Sequence, residues 1–129
     1  MPDRRVAPRR ALLMDVGGTW IRWAVRESDG RWSTIDRTPT PSYLALPEAS
    51  HQTLVAEMVE VLLHAYDTAS AADGLPIQAV SISFGGVIDA STGAIVGASP
   101  IWGSASEPVH LHGMLAMARP HAEWKIVND

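Results

Sequence analysis

The chain has 129 residues, 47% hydrophobic and 19% charged, and its formal charge at neutral pH is −4. That size supports one domain with its own core, and the acidic balance argues against a nucleic-acid partner. Cysteine is absent, which excludes a disulfide framework and a thiolate zinc site and fits a cytoplasmic protein. No apolar run reaches the roughly 20 residues of a membrane span, so no membrane partner is expected.

The first ten residues hold four Arg and one Asp, a local charge of +3, and with Pro2 and Pro8 they read as a disordered basic lead-in. The domain then occupies residues 11–129. Residues 11–16 form a short apolar run stopped by Gly17-Gly18, as a buried strand would be. Residues 19–26 alternate, with Trp20, Arg22, Ala24 and Arg26 on one side and Ile21, Trp23 and Val25 on the other, which predicts a second strand. Ser28-Asp29-Gly30 is a turn signal, and residues 31–37 return as a third antiparallel strand. Pro39, Pro41 and Pro47 then mark a connection without regular structure.

Within residues 48–72, Leu54, Met58, Val61, Leu62, Ala65 and Ala69 recur at helical steps, with Ser50 as the cap and Gly74 and Pro76 as the stop. The nearly continuous apolar run at 77–84 predicts an inner strand covered on both faces, closed by Gly85-Gly86. Residues 87–89 and 94–96 flank a turn and read as a small hairpin. After a loop, Val109, Leu111, Met114, Leu115 and Ala118 predict a short helix ended at Pro120, and residues 124–127 form a last strand before Asn128-Asp129. The order implies an α/β domain: three antiparallel strands, then two parallel ones reached through helices, in a mixed five-stranded sheet.

Asp15-Val16-Gly17-Gly18-Thr19 carries the strongest chemical signal. Paired glycines between two strands let the backbone turn tightly and approach a ligand, so the amides of Gly17, Gly18 and Thr19 can converge on an anion, with the Thr19 hydroxyl as a further donor. Asp15, at the mouth of the turn, can hold a phosphate-bound Mg²⁺ through water. The alternative is a plain hairpin with a convenient glycine turn. Neither a Walker loop nor a Gly-x-Gly-x-x-Gly fingerprint is present. His110 and His112 stand two apart and face different ways on a helix, while His51, His64 and His121 are isolated, so no metal-ligand set is indicated. Ser81 and Ser83 lie on a strand without a nucleophile elbow around them.

Asp15-Val16-Gly17-Gly18-Thr19, followed by a strand with Arg22, resembles the first phosphate motif of the actin-like ATPase and sugar kinase superfamily. Ser83-Phe84-Gly85-Gly86-Val87-Ile88-Asp89, then Thr92-Gly93 and Gly97, is similar to a segment of the ROK family (repressors, open reading frames and kinases). The ending Lys125-Ile126-Val127-Asn128-Asp129 resembles that family's strand running into an Asn-Asp pair. The resemblance implies a ribonuclease-H-like (actin-like ATPase) domain with flanking helices, forming the N-terminal half of an ATP-dependent sugar kinase. It implies ATP and Mg²⁺ as cofactors, a sugar and ATP as small-molecule partners, Asp129 as catalytic base, and Asn128 and Gly86 at the sugar. A homodimer is left open. Read without the resemblance, Asn128-Asp129 is a solvated polar tail.

Two positions depart from the family pattern: Trp20 stands where Lys or Asn is common, and Pro100 where an Asn touches the sugar, which puts glucose as substrate in doubt. Trp102, in a glycine-flanked loop, is a candidate to stack on a sugar, with packing as the plainer reading. The second domain that carries the adenosine site is absent from these residues, so the chain alone is expected to be inactive. The alternatives are a sugar-sensing ROK-type regulator, another actin-like ATPase, and a non-catalytic half-domain.

Overall fold

The computed structural model describes residues 9–72, 75–97, 99–104 and 107–128. The elements follow the expected order: β1 (Ala11–Val16), β2 (Trp20–Arg26), β3 (Asp36–Pro39), α1 (His51–Ala72), β4 (Ala79–Phe84), β5 (Val87–Ile88), β6 (Ile95–Val96), α2 (Leu111–Ala118) and β7 (Glu123–Asn128). The main sheet has five strands in the order β3-β2-β1-β4-β7, and β5 and β6 form a separate hairpin. β1 and β2, and β2 and β3, pair antiparallel; β4 pairs parallel with both β1 and β7.

Register puts one apolar row after another on a single face. Leu12, Val80 and Trp124 are aligned across β1, β4 and β7, as are Met14, Ile82 and Ile126. Leu54, Met58, Leu62, Ala65 and Ala69 of α1, and Leu111 and Leu115 of α2, complete the same buried cluster. The Tyr66 ring of α1 meets Trp124 of β7 at 5.3 Å between centroids. Ser50 caps α1 as expected, its Oγ accepting the Thr53 amide at 3.1 Å. Gly74, the expected stop, lies outside the described residues.

Three expectations change. The third strand lies at 36–39 rather than 31–37, because Ser33 breaks the ladder: its Oγ accepts the Val25 amide at 2.8 Å, where a backbone carbonyl would stand in a regular strand. Pro39 then sits inside a strand. It is tolerated because β3 is a sheet edge and the missing N–H has no neighbour to serve. β4 is not covered on both faces: Val80, Ile82 and Phe84 are buried, whereas Ala79, Ser81 and Ser83 are half-buried, since both helices pack on the other side.

The third change concerns the lead-in. Residues 1–8 lie outside the described part, but Arg10 is only 5% exposed. Its Nε donates to Glu27 Oε2 at 2.8 Å and its Nη1 to the Leu75 carbonyl at 2.7 Å, beyond the end of α1. The order of the domain therefore begins before β1. Arg10→Met should destabilise the fold by about 3 kcal/mol, because Glu27 and the part-buried Leu75 carbonyl both lose their donor; urea unfolding measures this.

At the far end of α1, the Arg119 fork donates to both oxygens of Asp67, Nε to Oδ1 at 2.9 Å and Nη2 to Oδ2 at 2.6 Å. These bonds hold the Asp67 carboxyl below its ordinary 3.8. The pair tethers the residue after α2 to α1. A depressed carboxylate stabilises the fold above its unfolded pKa and stops doing so as the pH falls through the folded one. The stability difference between the wild type and Arg119→Met should therefore be constant near neutrality and disappear below pH 3.8, which parallel thermal melts across the acid range would measure.

Candidate functional site

β1, β4 and β7 run the same way and end in register, with Val16 beside Phe84 and Phe84 beside Asn128. At ~5 Å per strand, Asn128 is separated from the end of β1 by roughly 10 Å. The two glycine pairs, Gly17-Gly18 and Gly85-Gly86, leave the sheet at this same edge. In open α/β sheets the carboxyl edge is where ligands bind. Asp129 lies outside the described residues, one position beyond β7.

The first turn has an unusual build. Gly17 N–H donates to the Trp20 carbonyl at 3.0 Å, so this amide closes the hairpin and is not offered to a ligand. That corrects the expectation for Gly17. None of Gly17, Gly18 and Thr19 has a positive φ, whereas the tight two-residue hairpin turns need one or two such residues. Gly17 answers to space instead, and Gly18 has room for a methyl group. A Cβ on Gly17 would lie 3.2 Å from the Trp20 carbonyl oxygen, and one on Gly18 would touch Pro100 Cβ at 3.4 Å. The Gly18 and Thr19 amides have no hydrogen-bond partner among the described residues and stand at the surface. Two amides and a hydroxyl are thus free to meet an anion.

Sequence reasoning missed Thr40. It is 1% exposed, its Oγ1 donates to the Gly17 carbonyl at 2.8 Å, and its N–H donates to the Thr19 carbonyl at 2.9 Å. The signal was available: a hydroxyl residue between Pro39 and Pro41 sits where no regular ladder can use it.

Asp15 is exposed on the open face of the sheet, with Arg22 opposite it on β2 and Ser83 beside it on β4. The three line a shallow concavity of about 360 Å³ with Leu13, Trp23 and Ile35. Among the described residues no group of three or more His, Cys, Asp or Glu side chains could cage a metal. A single exposed carboxylate fits Mg²⁺, which keeps several waters and takes its other ligands from phosphate.

Other positions resolve into packing. Gly86 donates to the Phe84 carbonyl at 3.0 Å, and a Cβ there would meet Ile95 Cγ2 at 3.2 Å, so the β6 hairpin already requires glycine. Asp89 accepts from the Ser91 hydroxyl at 2.6 Å and its amide at 2.8 Å, which holds the carboxyl below its ordinary range and closes the β5–β6 turn. Trp20 is occupied by the Arg37 guanidinium, 4.3 Å above its ring, on the side of β3. Trp102 does not face a ligand: it is 4% exposed, stacked on Phe84 at 5.8 Å and edge-on to His51 at 5.7 Å. Its loop is pinned by Ser99 Oγ, which accepts the amides of Ile101 and Trp102. The same loop sets Pro100 beside Gly18.

This geometry separates the two glycines. Gly18→Ala should leave stability within about 0.5 kcal/mol of wild type, whereas Gly17→Ala, which crowds a backbone oxygen, should cost about 1–2 kcal/mol; chemical denaturation of both variants checks the ranking.

No protein-family model matches the chain. It is 31% identical over 117 residues to a 2-epi-5-epi-valiolone 7-kinase of Actinoplanes sp. (strain ATCC 31044 / CBS 674.73 / SE50/110), covering 91% of this chain and 30% of the kinase. Among solved structures, a ROK family glucokinase from Streptomyces griseus, in complex with glucose and AMPPNP, superposes with a TM-score of 0.62 at 21% identity, over 92% of this chain and 33% of that one. A ROK family transcriptional regulator, a homologue of the E. coli MLC protein, superposes with a TM-score of 0.69 at 15% identity, over 93% of this chain and 28% of that one. The chain spans about a third of the length of the proteins it matches. It has the ribonuclease-H-like fold of the ROK family sugar kinases and is a relative in sequence of a valiolone kinase.

Proposed function

We propose that this chain is the N-terminal part of an ATP-dependent sugar kinase of the ROK type, which transfers the γ-phosphoryl group of Mg-ATP to a sugar hydroxyl. The observation that carries the reading is the common edge. Parallel register brings the Gly17-Gly18 turn, the Gly85-Gly86 turn and Asn128 to one end of the sheet. The 31% identity to a kinase across 91% of the chain supports it. Residues 11–129 are proposed as one domain, with the adenosine side of the nucleotide and the closing lid supplied by further chain. We place the protein in the cytoplasm, with a sugar and ATP as its partners; no described helix is long and apolar enough to cross a membrane.

The proposed roles combine position at this edge with the family resemblance, on which the role of Asp129 rests. Gly18 and Thr19 amides, with the Thr19 hydroxyl, receive phosphate oxygens; a Mg²⁺ ion bound there would neutralise phosphate charge, and Asp15 would hold it through water. Asn128 hydrogen-bonds a sugar hydroxyl, with the Gly85-Gly86 turn beside it at the same edge. Asp129 aligns the attacking hydroxyl and accepts its proton as the new P–O bond forms and the bond to ADP breaks. One domain offers these groups on an open shelf, so the 129 residues expressed by themselves should show no useful turnover.

The regulator that shares the fold marks the second reading, a sugar sensor. Asp129→Asn in the full-length protein separates the two. For a kinase, kcat should fall by about 10²–10⁴ with the KM for ATP nearly unchanged, because loss of the base acts on the transition state. Wild-type kcat on the best sugar would refute the assignment, and sugar binding without any phosphoryl transfer by the unmodified protein would favour the sensor.

A further inference from the structure

The turn at residues 17–19 is not self-supporting. Its residues lack the positive φ that the common two-residue hairpins use to match strand twist. Of the turn's own bonds, one joins the Gly17 amide to the Trp20 carbonyl. The other two carbonyls that define its shape, those of Gly17 and Thr19, both accept from a single residue 20 or more positions away, Thr40.

Peptide geometry turns this into a statement about the ligand side. In a trans peptide the carbonyl of one residue and the N–H of the next point in opposite directions, and no cis bond occurs among the described residues. With the Gly17 oxygen fixed on the Thr40 hydroxyl at 2.8 Å, the Gly18 N–H must point away from Thr40. That amide is one of the two that have no partner among the described residues. An unrestrained Gly17-Gly18 peptide could flip and present its carbonyl oxygen to an anion, which would repel it. Thr40 is itself held: it is buried, and Pro39 and Pro41 restrict the backbone on both sides of it.

We infer that Thr40 is a positioning residue, which fixes the Gly17-Gly18 peptide with its N–H outward and so presets the phosphate-binding turn. The inference rests on the kinase reading for the identity of the anion, but its test can fail separately.

The experiment uses the 129-residue chain labelled with ¹⁵N and titrated with pyrophosphate and with Mg-ATP. The Gly18 and Thr19 amide signals should shift on titration. Thr40→Val keeps the volume and the backbone N–H but removes the hydroxyl donor, and should weaken the apparent affinity by at least fivefold. Thr40→Ser keeps the donor and should bind within twofold of wild type. In the full-length protein the same valine variant should raise the KM for ATP at least fivefold while the KM for sugar stays within twofold, a split that general loosening of the fold would not produce. If wild-type Gly18 and Thr19 do not respond to either ligand, the phosphate-binding reading itself fails. If they respond and Thr40→Val binds as tightly as wild type, or if the serine variant loses as much as the valine, Thr40 has no positioning role.

Discussion

Parallel pairing of β4 with both β1 and β7 is the constraint on which the remaining structure depends. Parallel neighbours cannot be joined by a tight turn, so each step across the sheet must travel through a helix. α1 makes the crossing to β4 and α2 the crossing to β7, both on the face where Leu12, Met14, Ile82 and Trp124 are buried. A slip of one residue in β1 would bring Asp15 to that apolar face and move Met14 into solvent. The same register that satisfies the core therefore fixes where β1, β4 and β7 stop, and the chemistry of the edge follows from where they stop.

At that edge, long-range contacts replace local turn geometry. Thr40 holds the back of the first glycine turn, and Pro100 closes on its side. Pro100 owes its place to two neighbours in sequence: Ile101 and Trp102 are both buried, and Trp102 lies on Phe84, the last residue of β4. The Tyr43 amide donates to the Ile101 carbonyl at 2.9 Å, which joins this loop to the segment that carries Thr40. The glycine turn, the β4 terminus and the two loops thus form one packed unit. Displacement of any one of them would be felt at Gly18.

The fold was largely legible in the sequence because its signals are local. Alternation in 19–26, helical steps in 54–69 and the run at 77–84 each state their own element. β3 was misplaced because Ser33 supplies a side-chain oxygen where a carbonyl was assumed, and Pro39 remains in a strand only because that strand is an edge. Neither fact is visible without the partner strand. The site was less legible. Glycines suggested a flexible turn, yet what matters at Gly17 is the approach of the Trp20 carbonyl, which the pairing of β1 with β2 brings about. Thr40 stood out only as a hydroxyl between two prolines, and its partners could not be read, because its two acceptors are 21 to 23 positions away in the chain.

What a single open edge can contribute is set by solvent. Two surface amides without a partner among the described residues and one exposed carboxylate act in a high dielectric, where each interaction with an ion is modest, and such groups become far stronger when water is excluded. Nothing in the pairing of these residues needs to change for that to happen. Gly18 already points outward, Asp15 already stands beside Ser83 on the open face, and Asn128 already ends its strand in line with Phe84. The fold fixes the orientation of these groups through the core and Thr40, and leaves them exposed to solvent. On the kinase reading proposed above, orientation built into this domain and dryness supplied by further chain would divide the work of phosphoryl transfer, where little covalent chemistry falls to the protein and positioning dominates.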